Sequence, residues 1–417
     1  MNHARYPSAD VPDARRRSLL LGTAALGAGA LAGVGRAFAT TPAGVVIPTS
    51  AAPHLLTTDF PQKGSLILHR NRPPLLETPF EVFDEGIFTP ANRFYVRWHL
   101  GDVPTSIDPA TFRLNVHGHV SRPLSLSLNE LLTRFDRHEV VAVNQCVGNS
   151  RSHFAPRVTG AQWSNGAMGN ARWTGVRLKD VLERAGVRNR AQQVRFKGLD
   201  RGVIPETRDF MKSLEISHCL DGEVMIAYAM NGEALPLLNG YPLRLVVPGW
   251  YATYWMKMLT DIEVLDGPDQ NFWSTEAYLI PDTPHASVRP GEHGFPVVPV
   301  SRMVPRSFIT NVRDGAIFHV SQPVPLRGIA FGGEHALAGV QLSTDDGRTW
   351  QPVRLGTDYG KYSFRQWQTE VRFSRPGPWT LMVRAADSTG QVQPVEPNWN
   401  GSGFMRNVIE TVRINVV

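Results

Sequence analysis

The sequence predicts an α+β core followed by an all-β, immunoglobulin-like sandwich. Three observations carry that prediction. Between about residues 94 and 280, strand-like and helix-like segments mix without the regular βαβ rhythm of a doubly wound sheet. The run "PDTPHASVRPGEHGFPVVPVSRMVP" then breaks the pattern with proline and no periodicity, marking a boundary. Beyond it, short alternating segments separated by Asp-Gly, Pro-Gly and Thr-Gly turns continue with no strong helix. The chain therefore divides into residues 1–39, 40–285 and 286–417.

The first segment reads as an export signal. Arg16 and Arg17 precede Ser18, Leu19 and Leu20, and a mildly apolar Ala/Gly/Leu run ends at the small-residue site Ala37-Phe38-Ala39. That is a twin-arginine signal cleaved after about Ala39, the run being short and glycine-rich for a membrane anchor. Cleavage removes five arginines and two aspartates, taking the formal charge from +6 to +3. A nucleic-acid partner loses its main support. Twin-arginine export carries proteins that fold before they cross, which favours an enzyme loaded with a metallocofactor over a fast-folding protein without one.

Residues 40–90 are rich in proline and look extended and irregular. "FYVRWHL" and "FRLNVHGHV" alternate as strands, and "RPLSLSLNELLTRF" reads as a strand leading into a helix with Asn129 near its start. "GVRLKDVLERAG" is an amphipathic helix with Val176, Leu178, Val181 and Leu182 on one face and Gly186 as its stop. "AQQVRFKGLD", "EVMIAYAMNG" and "YPLRLVVPG" are further strands, and "ALAGVQLSTDDGRTWQPVRL", "FRQWQTEVRF" and "WTLMVRAADSTGQVQ" supply strands of the sandwich.

Three stretches carry chemistry. In "FYVRWHLGDVP", Arg97 and His99 lie two apart, on one face of the expected strand. In "VVAVNQCVGNSRSHF", Cys146 follows an apolar run but keeps company with Asn144, Gln145, Gly148, Asn149 and Arg151, surroundings suited to a thiolate or a bound anion. In "PLLNGYPLRLVVPGWYATYWMKM", Asn239, Arg244, Tyr254 and Lys257 sit among apolar residues, where a buried cation requires a partner such as a phosphate-bearing cofactor. The two cysteines, Cys146 and Cys219, have neither zinc-site spacing nor matched neighbourhoods, and Cys219 reads as structural.

Taken together, "RWHL", "NQCVGNSR", "GAQWSNGAMGNARWTGVRLKDVL", "IAYAMNGEALP", "GYPLRLVVPGWYATYWMK" and "NFWSTEAYLIPD" resemble the sulfite oxidase family of molybdenum enzymes, in its bacterial periplasmic sulfite dehydrogenase branch. "LSTDDGRTW", "RAADSTGQVQP" and "NWNGSGFMRNV" resemble that family's dimerisation domain. The resemblance implies a sulfite-oxidase-type molybdopterin-binding domain and a mononuclear molybdenum with Cys146 as its protein ligand, a role that suits a soft thiolate. Asn144 and Asn149 would then hold the cysteine loop. By the same resemblance Arg97 and Arg151 bind the substrate anion, Trp163 lines its pocket and Tyr278 stands beside the metal. His99, Asp200, Asn239, Arg244, Tyr254 and Lys257 hold the pterin. Asn239 stands where vertebrate members carry histidine. Ser402 stands where they carry a third substrate arginine, with Arg406 four residues later.

The implied reaction is oxidation of sulfite to sulfate by oxo transfer. The alternative on the same scaffold is oxo transfer to or from a sulfoxide, nitrate or an organic sulfur compound. A cofactor-free adhesion protein is the rival from another class, separated by molybdenum analysis. No Cys-x-x-Cys-His occurs, and the span between signal and core is too short for a vertebrate-type haem domain, so no haem is expected on this chain. Electrons would pass to a periplasmic c-type cytochrome or haem subunit through a small, partly electrostatic interface. The C-terminal domain implies a homodimer, with a monomer the alternative that light scattering separates.

Overall fold

Segments rich in β-branched and aromatic residues alternate along most of this chain, and strands outnumber helices accordingly. The computed structural model describes residues 55–417, so the expected export signal lies outside the described residues. Strands β1 (Leu56–Thr57), β2 (Leu66–Arg70), β3 (Leu75–Glu77) and β4 (Val96–Arg97) form a four-stranded antiparallel sheet in chain order. The proline-rich stretch expected to be irregular thus supplies three of its strands. Conversely, the strand expected through "FYVRWHL" covers only Val96–Arg97, and His99 lies in a bend beyond it.

Strand β5 (Leu114–Gly118) pairs with β6 (Leu124–Leu126), and helix α1 (Leu128–Arg134) follows. Ser127 caps α1: its hydroxyl accepts from the Glu130 amide, and the Glu130 carboxylate accepts from the Ser127 amide. β7 (His138–Gln145) runs antiparallel to β8 (Met168–Arg177), which leads directly into α2 (Leu178–Ala185). Val176, expected on the helix, is therefore the end of a strand. Leu178, Val181, Leu182 and Ala185 form the buried face of α2, and Gly186 stops it at φ 68°, a backbone conformation that costs glycine little.

β9 (Gln193–Lys197), β10 (Met211–Glu215), β11 (Met225–Met230), β12 (Glu233–Ala234), β13 (Arg244–Val246) and β14 (Asp261–Leu265) complete two five-stranded sheets. One has the order β10-β9-β14-β5-β6, with β14 and β5 parallel. The other runs β12-β11-β8-β7, with β13 on β11. Short helices between antiparallel and mixed strands make this an α+β arrangement.

Beyond residue 300, a four-stranded sheet built on Pro323–Phe331 and Arg365–Arg372 faces a five-stranded one built on Gly377–Asp387 and Glu410–Val416. Val324, Leu326, Trp367, Leu381, Val383 and Ile414 fill the space between them, as in an immunoglobulin-like sandwich. The core of the first part extends into this sandwich through Phe308, Phe331, Phe364 and Phe404. Cys146 and Cys219 are both free, and Cys219 is fully buried. Burial holds the Cys219 thiol well above the ordinary thiol range, as expected of an inert cysteine. Among the described residues no helix is long and apolar enough to cross a membrane.

Candidate active site

β7 ends at Gln145, and the chain turns sharply through Cys146-Val147-Gly148-Asn149 into a 3₁₀ turn at Arg151–His153. The loop is bound to its neighbours atom by atom. The Cys146 amide donates to the Ala167 carbonyl at 2.9 Å, and Asn149 accepts from the Ala167 amide at 2.9 Å while its Nδ2 donates to Asn165 at 3.3 Å. Gly148 leaves room for the Arg151 guanidinium, since a Cβ there would stand 2.4 Å from Nη2. Arg151 is buried, with Nε donating to the Ser402 carbonyl at 3.2 Å and Nη1 to the Ala161 carbonyl at 3.0 Å. Its guanidinium lies 5.3 Å from the Phe404 ring.

Two cavities meet at this loop. The inner one is lined by Arg97, His99, Asn144, Cys146, Asp200, Asn239, Arg244, Lys257 and Tyr278, among others. The outer one shares Arg97, Cys146, Val147 and Tyr278 with it and adds Arg70, Arg151, Trp163, Ser402 and Phe404. Cys146 thus stands where the inner chamber meets the wider outer one. Of the eleven residues singled out in the sequence, ten line one cavity or both. The eleventh, Tyr254, lines neither: its hydroxyl donates to the Val300 carbonyl at 2.5 Å. Lys212 Nζ lies 4.6 Å from its ring. Arg406 likewise stays out of the lining, paired with Glu410 at 3.2 Å.

The inner chamber is a donor-rich environment. Arg97 Nη1, Asn144 Nδ2 and Arg244 Nε are buried N–H groups with no protein acceptor. Orphaned buried donors are costly, so a group bearing several acceptors belongs against them. Arg244 is held by the Asn239 carbonyl at 3.0 Å and Asn144 Oδ1 at 3.2 Å, beside the edge-to-face pair of Trp173 and Trp255 rings. Burial lowers its guanidinium to about 10. Burial, then the Arg244 charge, lowers the Lys257 ammonium, against the opposing Asp200 carboxylate. An anion in the chamber would reverse both shifts.

His99 is stacked on Phe210 at 3.4 Å between ring centroids, and its Nε2 lies 2.5 Å from the Tyr278 hydroxyl. Burial and then the charges of Arg97, Lys257 and Lys212 hold this imidazole well below its ordinary range, so it is neutral. Burial raises the Tyr278 phenol, which therefore keeps its proton.

The sequence reading missed several side chains that hold these groups. Lys63 is buried and donates to the carbonyls of Ala91 and Phe94, at 2.8 and 2.9 Å, and to Asn239 Oδ1. Asn239 Nδ2 donates to the Tyr95 carbonyl at 3.1 Å, so this amide orders the chamber wall as well as lining it. Glu77 is buried and accepts from the Ser164 and Gly166 amides at 3.1 and 2.8 Å, fixing the segment that carries Trp163. Nothing local in "FPQKGSLIL" or "PPLLETP" marks Lys63 or Glu77, because their partners are distant in the chain.

Residues 100–273 match the model of the oxidoreductase molybdopterin binding domain, and residues 299–417 that of the Mo-co oxidoreductase dimerisation domain. Mitochondrial sulfite oxidase of Mus musculus is 35% identical over 85% of this chain and 66% of its own length. Sulfite oxidase of Gallus gallus is 33% identical over 83% of this chain and 77% of its own. The chain belongs to the sulfite oxidase family. It spans 66% of the length of the mouse relative. The sulfane dehydrogenase SoxCD from Paracoccus pantotrophus has the same fold, with a TM-score of 0.71 at 24% identity over 91% of this chain and 92% of that one.

The family's cofactor is molybdenum carried by molybdopterin, and the inner chamber fits it. Its orphaned donors and cations suit an acceptor-rich anionic group, and the Cys146 sulfur at the mouth suits a soft metal. Arg244, Lys257, Asn144, Asn239 and His99 are the residues that would hold it.

Proposed function

We propose that this chain is a periplasmic molybdenum-dependent sulfite dehydrogenase that passes electrons to a c-type cytochrome. The observation that carries the reading is the outer cavity: Arg97 and Arg151 face the mouth of the chamber at Cys146, and among the described residues no carboxylate lines that cavity. Sulfite is a small anion near neutral pH, and guanidinium groups hold oxyanions through paired, permanently charged donors. Trp163 is almost fully buried and walls the cavity, and the protonated Tyr278 hydroxyl, hydrogen-bonded with neutral His99, lines it as well.

With molybdenum bound, the cofactor supplies oxygen-atom transfer and accepts two electrons. Sulfite and water give sulfate, two protons and two electrons, which leave one at a time. The test is sulfite-dependent reduction of ferricyanide and of cytochrome c by metal-loaded protein. Reduction of both is expected. Ferricyanide reduction alone would remove the cytochrome assignment, and reduction of neither would remove sulfite as substrate.

The periplasmic assignment rests on the twin arginines. Replacing Arg16 and Arg17 by lysine is expected to leave the precursor in the cytoplasm, read by fractionation and immunoblot. Export of the double variant at the normal level would overturn it.

A further inference from the structure

The outer cavity has a third arginine that the resemblance does not supply. Ser402 occupies the position where vertebrate members carry one; it brings no charge, and its carbonyl accepts from Arg151 at 3.2 Å. Arg406 is committed to Glu410. On another wall, however, Arg70 at the end of β2 lines the same cavity.

Strand register explains how it gets there. Arg70 pairs with Leu75, and Leu75 pairs with Arg97, so the three form one row across β2, β3 and β4. Residues directly opposite in a sheet share a face, and all three line the outer cavity. The row exists because the pairing of β2 with β3 shifts between Leu68 and Arg70. At that bulge His69 is the extra residue and Arg70 takes the place opposite Leu75, and both line the cavity. Bulges re-aim side chains in this way beside active sites.

The Arg70 guanidinium is also only lightly held. Its Nε donates to the Pro73 carbonyl at 3.3 Å, and among the described residues it makes no ion pair. It is exposed at the mouth and senses its neighbour: partial burial, then the Arg97 charge, lowers it from the ordinary arginine range. Two like charges on one row, with no carboxylate among the described residues of the lining, repel each other until an anion lies between them.

We infer that Arg70 is a substrate-binding residue, supplying from the bulged strand the third guanidinium that position 402 lacks. It rests on the reading of sulfite as substrate. Because it stands at the mouth, Arg70 captures the anion rather than acting on the reacting bond.

The test uses the metal-loaded full chain as wild type, Arg70→Met and Arg70→Lys. For Arg70→Met, KM for sulfite is expected to rise roughly 5- to 15-fold, from below to just within what a charge-assisted hydrogen bond supplies, because the site is partly exposed. The inhibition constant of the product anion, sulfate, should rise in parallel, with kcat and molybdenum content near wild type. Arg70→Lys keeps the charge and should recover part of both. Unchanged KM and sulfate inhibition in Arg70→Met would overturn the assignment while leaving sulfite oxidation by the wild type intact. Equal impairment of both variants with loss of molybdenum would also overturn it, by marking a structural role. If the loaded wild type neither oxidises sulfite nor is inhibited by sulfate, the underlying reading fails, and the role of Arg70 fails with it.

Discussion

Cys146→Ser is expected to fold, keep its pterin contacts and lose sulfite oxidation. The loss should exceed the roughly 10- to 100-fold that follows removal of a metal site's outer partners, because the ligand itself changes from a soft thiolate to a hard, weakly acidic hydroxyl. Folding survives because the bonds that shape the loop use the backbone of residue 146, its amide donating to Ala167 and its carbonyl accepting from the Asn149 amide, each at 2.9 Å. Serine keeps both. The inner chamber also retains Arg244 and Lys257, so pterin content should stay near normal. Turnover, pterin and molybdenum measured on the same preparation separate these outcomes. Near-normal turnover would remove Cys146 as the metal ligand.

Arg151→Met is expected to lower kcat/KM for sulfite by roughly 10- to 150-fold. A hydrogen bond to a charged group contributes ~1.5–3 kcal/mol, and ~1.36 kcal/mol is tenfold in rate. The loss falls in KM if Arg151 holds substrate and transition state alike, and in kcat if it chiefly positions the reacting oxygen. A surface ion pair, worth ~0–1 kcal/mol, would instead leave the kinetics unchanged. The geometry argues against that alternative: among the described residues the partners of Arg151 are the carbonyls of Ser402 and Ala161 and the ring of Phe404. Methionine keeps much of the bulk against Phe404, so molybdenum content should hold. Unaltered kcat/KM in fully loaded protein would sink the role.

The two variants differ in how far their sites could be read beforehand. The cysteine loop is compact in sequence: ligand, glycine and arginine fall within six positions, and the physical reason for each is local. Arg151 folds back over Gly148, whose lack of a Cβ makes the room. The glycine stop of α2 was legible for the same reason, since neighbours in sequence satisfy it, and the sandwich strands showed in their own alternation and turn residues.

What the sequence determined by itself was therefore chemical identity: which side chains are soft ligands, fixed cations and turn formers, and which apolar runs must be covered. Tertiary structure alone decided direction and company. Arg97 and His99 converge on one chamber although no strand carries both. Tyr254 turns its hydroxyl to Val300, because a buried phenol takes the nearest acceptor and that acceptor lies 46 positions away in the chain. Lys63 meets Asn239 across 176 positions, and Arg151 meets Ser402 across 251. Arg70 takes its place opposite Leu75 through a one-residue shift in strand pairing. Register and burial are properties of surfaces brought together by folding, so a row such as Arg70–Leu75–Arg97 exists only after the sheet has closed.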